Sequence, residues 1–272
     1  MRKTPLALAL VGVALSGCNL VFGLDEGVYD PGFAGGAGGG TSSSSTGSGG
    51  ADWSCVGKVK AKTDVAPYAY QLTEAKLDSL LGETPTAKLC QAADPACVTS
   101  VPLSVMSNGA LTITASEPYF GGYAPIASTK YRPYVVELGP AVDLPDPIRR
   151  FQMYTPPEVT GAFFLLGVKE EAGHGVAAVF VRDCAGLPAA GVRVESSTTA
   201  PTTQLIYQDK DGNFQKGFQQ TDEAGAALYG NVPVGESREI VLRRASDLVV
   251  VARANVRIRD KTLTVLHLRP TP

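Results

Sequence analysis

The chain has 272 residues, with 24 basic and 26 acidic side chains, a formal net charge of −2 and 44% hydrophobic residues. A nucleic-acid partner needs a basic stripe that neutralises phosphates. The densest candidate, with Arg243, Arg244, Arg253, Arg257, Arg259 and Lys261, alternates arginine with apolar residues at Val256-Arg257-Ile258-Arg259, which is the pattern of a solvated strand face. No nucleic acid is expected.

In chain order, Arg2 and Lys3 precede an apolar run from Leu6 to Leu15. About ten residues fit a signal-peptide core and fall well short of the roughly 20 that cross a bilayer. The run ends in Leu15-Ser16-Gly17-Cys18, which resembles a bacterial lipobox, where cleavage occurs before a lipidated cysteine. The resemblance implies a signal peptide over 1–17, lipidation at Cys18, a membrane partner through that lipid, and a place in the cell envelope. Asn19 in place of aspartate implies the outer membrane, by similarity to a sorting rule of some Gram-negative bacteria. Without Arg2 and Lys3, 22 basic residues would face 26 acidic ones. About 255 residues would remain, enough for one large or two ordinary domains.

Residues 18–52 form the next unit. From Gly32 to Gly50 the chain is almost entirely Gly, Ala, Ser and Thr, a composition that cannot bury enough apolar surface to offset its ordering entropy. A disordered tether is expected, with a root-mean-square reach of about 30 Å between Cys18 and Ala51.

Besides Cys18 there are four cysteines, Cys55, Cys90, Cys97 and Cys184, and an even number in an exported chain reads as two disulfides. Three pairings are open. Cys90 and Cys97 flank Asp94-Pro95, a turn-favouring pair, so these two are expected to join, leaving Cys55 for Cys184. Closing so short a loop stabilises by roughly 2 to 3 kcal/mol on the chain-entropy estimate. Metal and cofactor are not expected, because there is no C-x-x-C pair and the chain has only two histidines.

Beyond Trp53, short apolar runs alternate with Gly, Pro, Asn and Asp. Strands are expected at 176–181, 191–194, 205–207, 226–229, 239–242, 248–251, 256–259 and 263–268, and a helix at 73–81 with Thr73 as its cap. Short strands separated by turns indicate an all-β antiparallel sandwich. A β-rich module over 53–172 and a second over 173–272 are expected, the latter able to fold alone.

Three stretches of the C-terminal part carry a family resemblance. They are Val179 to Val192, with Asp183, Gly186, Pro188 and Gly191; Thr221-Asp222-Glu223-Ala224-Gly225-Ala226; and Asn231-Val232-Pro233-Val234-Gly235. They are similar to the carboxypeptidase regulatory-like domain, whose fold is a prealbumin-like (transthyretin-like) β-sandwich of about seven strands. The chain would then hold one or two such modules. Gly82 to Cys90 and Ser107 to Leu111 could belong to a degenerate upstream copy, with an unrelated β module as the alternative.

Most catalytic signatures are missing from the sequence: H-E-x-x-H, G-x-S-x-G and a P-loop are all absent. Asp209-Lys210-Asp211-Gly212-Asn213 begins like a calcium loop, but Phe214 and Gln220 depart from the pattern and a hairpin turn explains the same letters. His174 and His267 stand alone, without partner bases. Tyr119, Phe120, Tyr123, Tyr131 and Tyr134 gather near glycines and prolines, and such aromatic rings either stack on a ligand or cap a core. The resulting expectation is a non-enzymatic, lipid-anchored envelope protein for adhesion, binding or scaffolding, with a protein or glycan partner. An accessory subunit that positions an envelope transporter or secreted enzyme is the alternative.

Overall fold

The computed structural model describes residues 50–62, 66–74, 81–142, 144, 149–197, 200–235 and 238–272. The expected leader, Cys18 and nearly all of the expected tether lie outside them.

Among the described residues fifteen strands and one helix follow in order: β1 (Ala66–Glu74), β2 (Thr86–Cys90), β3 (Ser100–Leu103), β4 (Ala110–Ala115), β5 (Tyr123–Ala127), β6 (Tyr134–Glu137), β7 (Arg149–Met153), α1 (Pro156–Leu165), β8 (His174–Val181), β9 (Val192–Ser196), β10 (Gln204–Gln208), β11 (Phe214–Gln215), β12 (Ala226–Pro233), β13 (Arg238–Arg244), β14 (Val250–Val256) and β15 (Leu263–Leu268). The chain is all-β in class, as expected. Alternation decides the outer strands: Leu111, Ile113 and Ala115 of β4 are buried while Thr112 and Thr114 face water. Unbroken apolar runs decide the inner ones. β8 and β15 are buried along nearly their whole length on both faces, which places them at the centre of a covered sheet.

That sheet has nine strands in the order β11-β10-β12-β8-β15-β6-β5-β2-β3, and it lies between two three-stranded sheets, β4-β1-β7 and β14-β13-β9. Against one face pack β1, β4, β7 and α1, through Tyr68, Leu72, Ile113, Phe163, Phe180 and Val265 among others. Against the other packs the β14-β13-β9 layer, through Val179, Leu266, Val194, Leu242 and Ala252. The expected boundary near residue 173 does not interrupt the sheet, because β15 runs parallel to β8 on one side and to β6 on the other, Leu263 standing opposite both Val176 and Tyr134.

The C-terminal turns follow their sequence signals. Gly225 has φ +62, and a Cβ there would meet the Ala189 nitrogen at 2.6 Å and the Val181 oxygen at 2.8 Å, so the Asp222 to Gly225 turn requires glycine. The outer edge of β9 is closed from across the sandwich. The Val194 N–H donates to the Tyr207 hydroxyl at 3.1 Å, the Tyr229 hydroxyl donates to the Val194 carbonyl at 3.0 Å, and the Val192 N–H donates to Thr221 Oγ1 at 3.0 Å. Groups that would otherwise offer an open edge are thereby consumed.

Two expected elements are corrected, and one helix falls where none was expected. Thr73 and Glu74 finish β1 instead of starting a helix, since Tyr68 and Tyr70 pair along β4 and Leu72, Thr73 and Glu74 pair along β7; residues 75–80 lie outside the described residues. The helix is α1 instead, begun by Pro156 and by the Glu158 carboxylate, which accepts from the Thr155 N–H and hydroxyl at 2.8 Å each. Lastly, β14 ends at Val256, and Arg257 to Arg259 leave the sheet.

Candidate binding loop

The aromatic set does not form an open stacking platform. Tyr123, Tyr131 and Tyr134 are buried, while Tyr119 and Phe120 are half-buried and pack on the core. Their hydroxyls explain why burial is tolerated. Tyr134 donates to the Gln152 carbonyl at 3.0 Å and accepts from the Tyr154 N–H at 2.8 Å, fastening β6 to the end of β7. Tyr131 donates to the Glu74 carboxylate and accepts from the Gly82 N–H at 3.1 Å. Hydrogen bonds from Lys130 first, then Tyr131 and the Gly82 backbone, hold Glu74 down at about 2.

Tyr123, fully buried at 0% exposure, has the most consequential surroundings. Its hydroxyl donates to the Asp94 carbonyl at 2.6 Å, inside the loop that the Cys90–Cys97 disulfide closes. Over its ring lie the guanidinium groups of Arg259 at 4.5 Å and Arg257 at 5.4 Å. These arginines reach past the ring into the same loop: Arg257 donates to the Ala92 carbonyl and Arg259 to the Pro95 carbonyl at 3.0 Å. The expected solvated face at Val256 to Arg259 is therefore corrected. The chain has left the sheet, and both arginines are half-buried against the loop.

Internal bonds complete the loop. The Cys97 N–H donates to the Asp94 carbonyl at 3.1 Å, the Thr99 N–H to the Asp94 carboxylate at 2.7 Å, and Lys88 Nζ to the Cys97 carbonyl at 3.4 Å. Cys90, Cys97, Tyr123 and Val135 form a small buried cluster beneath it. What this base holds out is apolar: Val98 is 84% exposed, and Val101 of β3 and Met106 stand exposed farther along. A loop already fixed by a disulfide and by side chains loses little entropy on contact.

Glu137 at the end of β6 is 3% exposed and accepts the Arg257 N–H at 3.1 Å. Burial pushes its carboxyl up to about 7 against the opposing pull of that hydrogen bond and of the Arg257 and Arg259 charges. Walled in on this side, the carboxyl acts on the loop's supports.

The second disulfide also forms, Cys55–Cys184. Beside it the Asp52 N–H donates to the Asp183 carboxylate at 3.0 Å and the Cys184 N–H to the Asp52 carbonyl at 2.9 Å. Asp183 also accepts from the Ala185 and Leu187 N–H groups at 2.9 Å each. An open cleft of about 310 Å³ lies here, where Gly50 and Ala51 meet Leu187, Pro188 and Glu223.

The remaining sequence candidates resolve into structure. Asp209 accepts from the Asp211 and Asn213 N–H groups at 3.0 and 2.8 Å and from Gln215 at 3.1 Å, so the calcium-like segment is the β10–β11 hairpin turn. Among the described residues no three His, Cys, Asp or Glu side chains are grouped to hold a metal. His174 is half-buried, its Nδ1 at 3.0 Å from the Ala172 carbonyl. His267 is buried and stacked on Phe180 at 4.6 Å, with neither ring nitrogen hydrogen-bonded. Burial first, then the nearby Arg149 and Arg182 charges, lower its pKa well below the usual histidine range. It fills core space.

The fold and the loop define an all-β, three-layer, disulfide-stapled protein. No family model matches the chain, and no curated protein matches it. Among solved structures it is similar to a streptococcal ancillary pilin, at 11% identity over 76% of this chain and 69% of that one, with a TM-score of 0.24. It is also similar to the Bacillus anthracis TIE protein, at 10% identity over 76% of this chain and 34% of that one, TM-score 0.24. A shaft pilin of Lactobacillus rhamnosus GG matches at 9% identity over 76% and 98%, TM-score 0.24. Similarity at this level decides neither fold nor function.

Proposed function

We propose that this is a lipid-anchored envelope protein that recognises a protein or glycan through the disulfide-closed loop at 90–97 and the apolar residues beside it, without chemistry of its own. The observation that carries the reading is the Tyr123 base. Two guanidinium groups, a phenol and a disulfide all serve to fix one loop, and that loop holds Val98 out to water. Rigid, apolar and exposed is what a contact surface requires. The Leu15-to-Cys18 motif supports attachment at Cys18, and Asn19 supports the outer membrane as the destination. Residues 173–272, with their turns at 183–191 and 222–225 and their β9-β13-β14 layer, support a carboxypeptidase regulatory-like module, here joined edge to edge with the upstream strands.

Labelled fatty acid supplied to growing cells tests the anchor: it should enter the wild-type chain and not the Cys18→Ser variant, and equal labelling of both overturns the anchor. Mild crosslinking in intact envelopes separates recognition from the accessory role. A protein partner held in fixed ratio supports an accessory subunit, whereas glycan binding without such a partner supports adhesion.

A further inference from the structure

We propose that the end of the sandwich from which the chain runs back toward Cys18 seats on the bilayer surface through Leu187, Leu248 and Val249. The proposal rests on the reading of Cys18 as a lipid anchor. Gly50 and Ala51 line the cleft beside Leu187 and Pro188, and the chain is fastened here by the Asp52–Asp183 hydrogen bond and the Cys55–Cys184 disulfide. A tether held at this point delivers the β8–β9 connection, residues 182–191, toward whatever holds its far end. The β13–β14 turn lies at the same end, since the Ala245 N–H donates to the Gly191 carbonyl at 2.8 Å and Arg244 stands opposite Val192.

What this end exposes is aliphatic. Leu187 is 53% exposed, Leu248 50% and Val249 40%. Leu248 moreover adopts φ 61, a conformation that Gly, Asn or Asp would accept more readily than leucine. The turn is built to hold it there. The Leu248 N–H donates to the Arg244 carbonyl at 2.8 Å and the Arg244 N–H to the Val249 carbonyl at 2.9 Å. Arg244 grips Asp247, and Arg243 donates to the Leu248 carbonyl at 3.1 Å. A disfavoured backbone conformation, maintained to present an apolar side chain outward, is a device and not a solvated turn.

Charge argues for lipid chains over an anionic partner. Arg243 is paired with Glu195 and Arg244 with Asp247, and Asp52 and Glu223 line the cleft, so this end carries no cationic surplus. Three half-exposed aliphatic side chains are too few to hold a free protein on a membrane. For a domain held at the bilayer by a lipid on Cys18, however, the effective concentration is on the order of millimolar, and a weak apolar contact becomes populated.

The test uses the lipidated full chain in phosphatidylcholine vesicles carrying brominated acyl chains, with the single tryptophan removed by Trp53→Phe. Leu248→Trp and, separately, Val249→Trp place a reporter in the turn. Val234→Trp is the comparison, because Val234 follows Pro233, which pairs with His174 at the opposite end of β8. The reporters at 248 and 249 should shift blue and lose most of their emission, with no dependence on salt, while the reporter at 234 stays bright. If both turn reporters are quenched no more than the one at 234 although the protein floats with the vesicles, the proposal is overturned and the anchor stands. If the lipid-treated chain does not float, the anchor reading fails and the proposal falls with it.

Discussion

The Tyr123 hydroxyl meets the Asp94 carbonyl at 2.6 Å while the Arg259 guanidinium lies 4.5 Å from the centre of the Tyr123 ring, so one buried side chain carries both the loop and one of the arginines that clamp it. Tyr123→Phe keeps the ring and removes the hydroxyl. It should cost about 1 kcal/mol of stability and speed amide hydrogen exchange across 91–99 more than across β8, as read by mass spectrometry. Uniform acceleration along the chain would mean the hydroxyl serves the whole fold.

Glu137 gives the protein a pH dependence of definite sign. Its carboxyl titrates near 7 when folded against an ordinary 4.5, so the folded state holds the proton more tightly. The resulting stability is complete below pH 4.5 and is lost as pH rises through 7, a change on the order of 3 kcal/mol. Glu137→Gln still accepts from the Arg257 N–H but cannot ionise. In urea melts between pH 4.5 and 8 it should flatten this decline and exceed wild-type stability at pH 8.

His267 acts on the acid side. Held well below 6.5 by burial and by Arg149 and Arg182, it supplies stability that is present above pH 6.5 and is lost as pH falls, by about 1.4 kcal/mol per unit until it protonates. His267→Phe, which keeps the stacking on Phe180, should remove that loss. His267→Ala should cost about 2 to 4 kcal/mol through the cavity it leaves, whereas His174→Ala should stay within about 0.5 kcal/mol. Thermal melts of the three variants across pH 4 to 7 would check these values.

The two disulfides should differ in weight. Cys55 and Cys184 are 129 residues apart, Cys90 and Cys97 only 7. On the chain-entropy estimate, paired serine substitutions should cost about 5 kcal/mol at the first and about 2.5 kcal/mol at the second. Limited proteolysis should then cut the first variant in 50–62 and the second in 91–99, and the reverse pattern would contradict both assignments.

Legibility in the sequence followed the range of the interactions. The uninterrupted run 176–181 and the Asp222 to Gly225 turn are governed by near neighbours and by a simple inside-outside choice, so strand class, most strand positions beyond residue 173 and the short disulfide could be read directly. The Cys55–Cys184 pairing followed by elimination. What could not be read was contact across long separations. Arg257 lies 165 residues from Ala92, and its alternation with valine and isoleucine imitates a strand face while the chain has left the sheet. The Thr155-Pro156-Pro157-Glu158 cap is a local helix signal that lies outside the expected elements, whereas Thr73 resembles a cap but sits in β1. The aromatic run is plain in the sequence, but composition does not tell a platform from a base; only the packing of Tyr123 under Asp94 does so.

The joining of the two halves is a further point that local pattern conceals. Phe180, Leu228, Leu263 and Val265 of the C-terminal part are covered by residues from before 173, and β15 is bonded to β6. A fragment of residues 173–272 should keep the β9-β13-β14 layer yet expose that second face, and sedimentation should find it self-associated. A monomeric fragment that melts cooperatively would restore an independent module.

Recognition through the loop is tested most directly by a photoreactive side chain placed at Val98 in the full chain in living cells, with the same group at exposed Arg253 for comparison. Illumination should give a discrete adduct from position 98 that fades when Tyr123→Phe loosens the loop, and little from position 253. Equal adducts from both positions, or none from 98 while the protein is present in the envelope, would contradict the account.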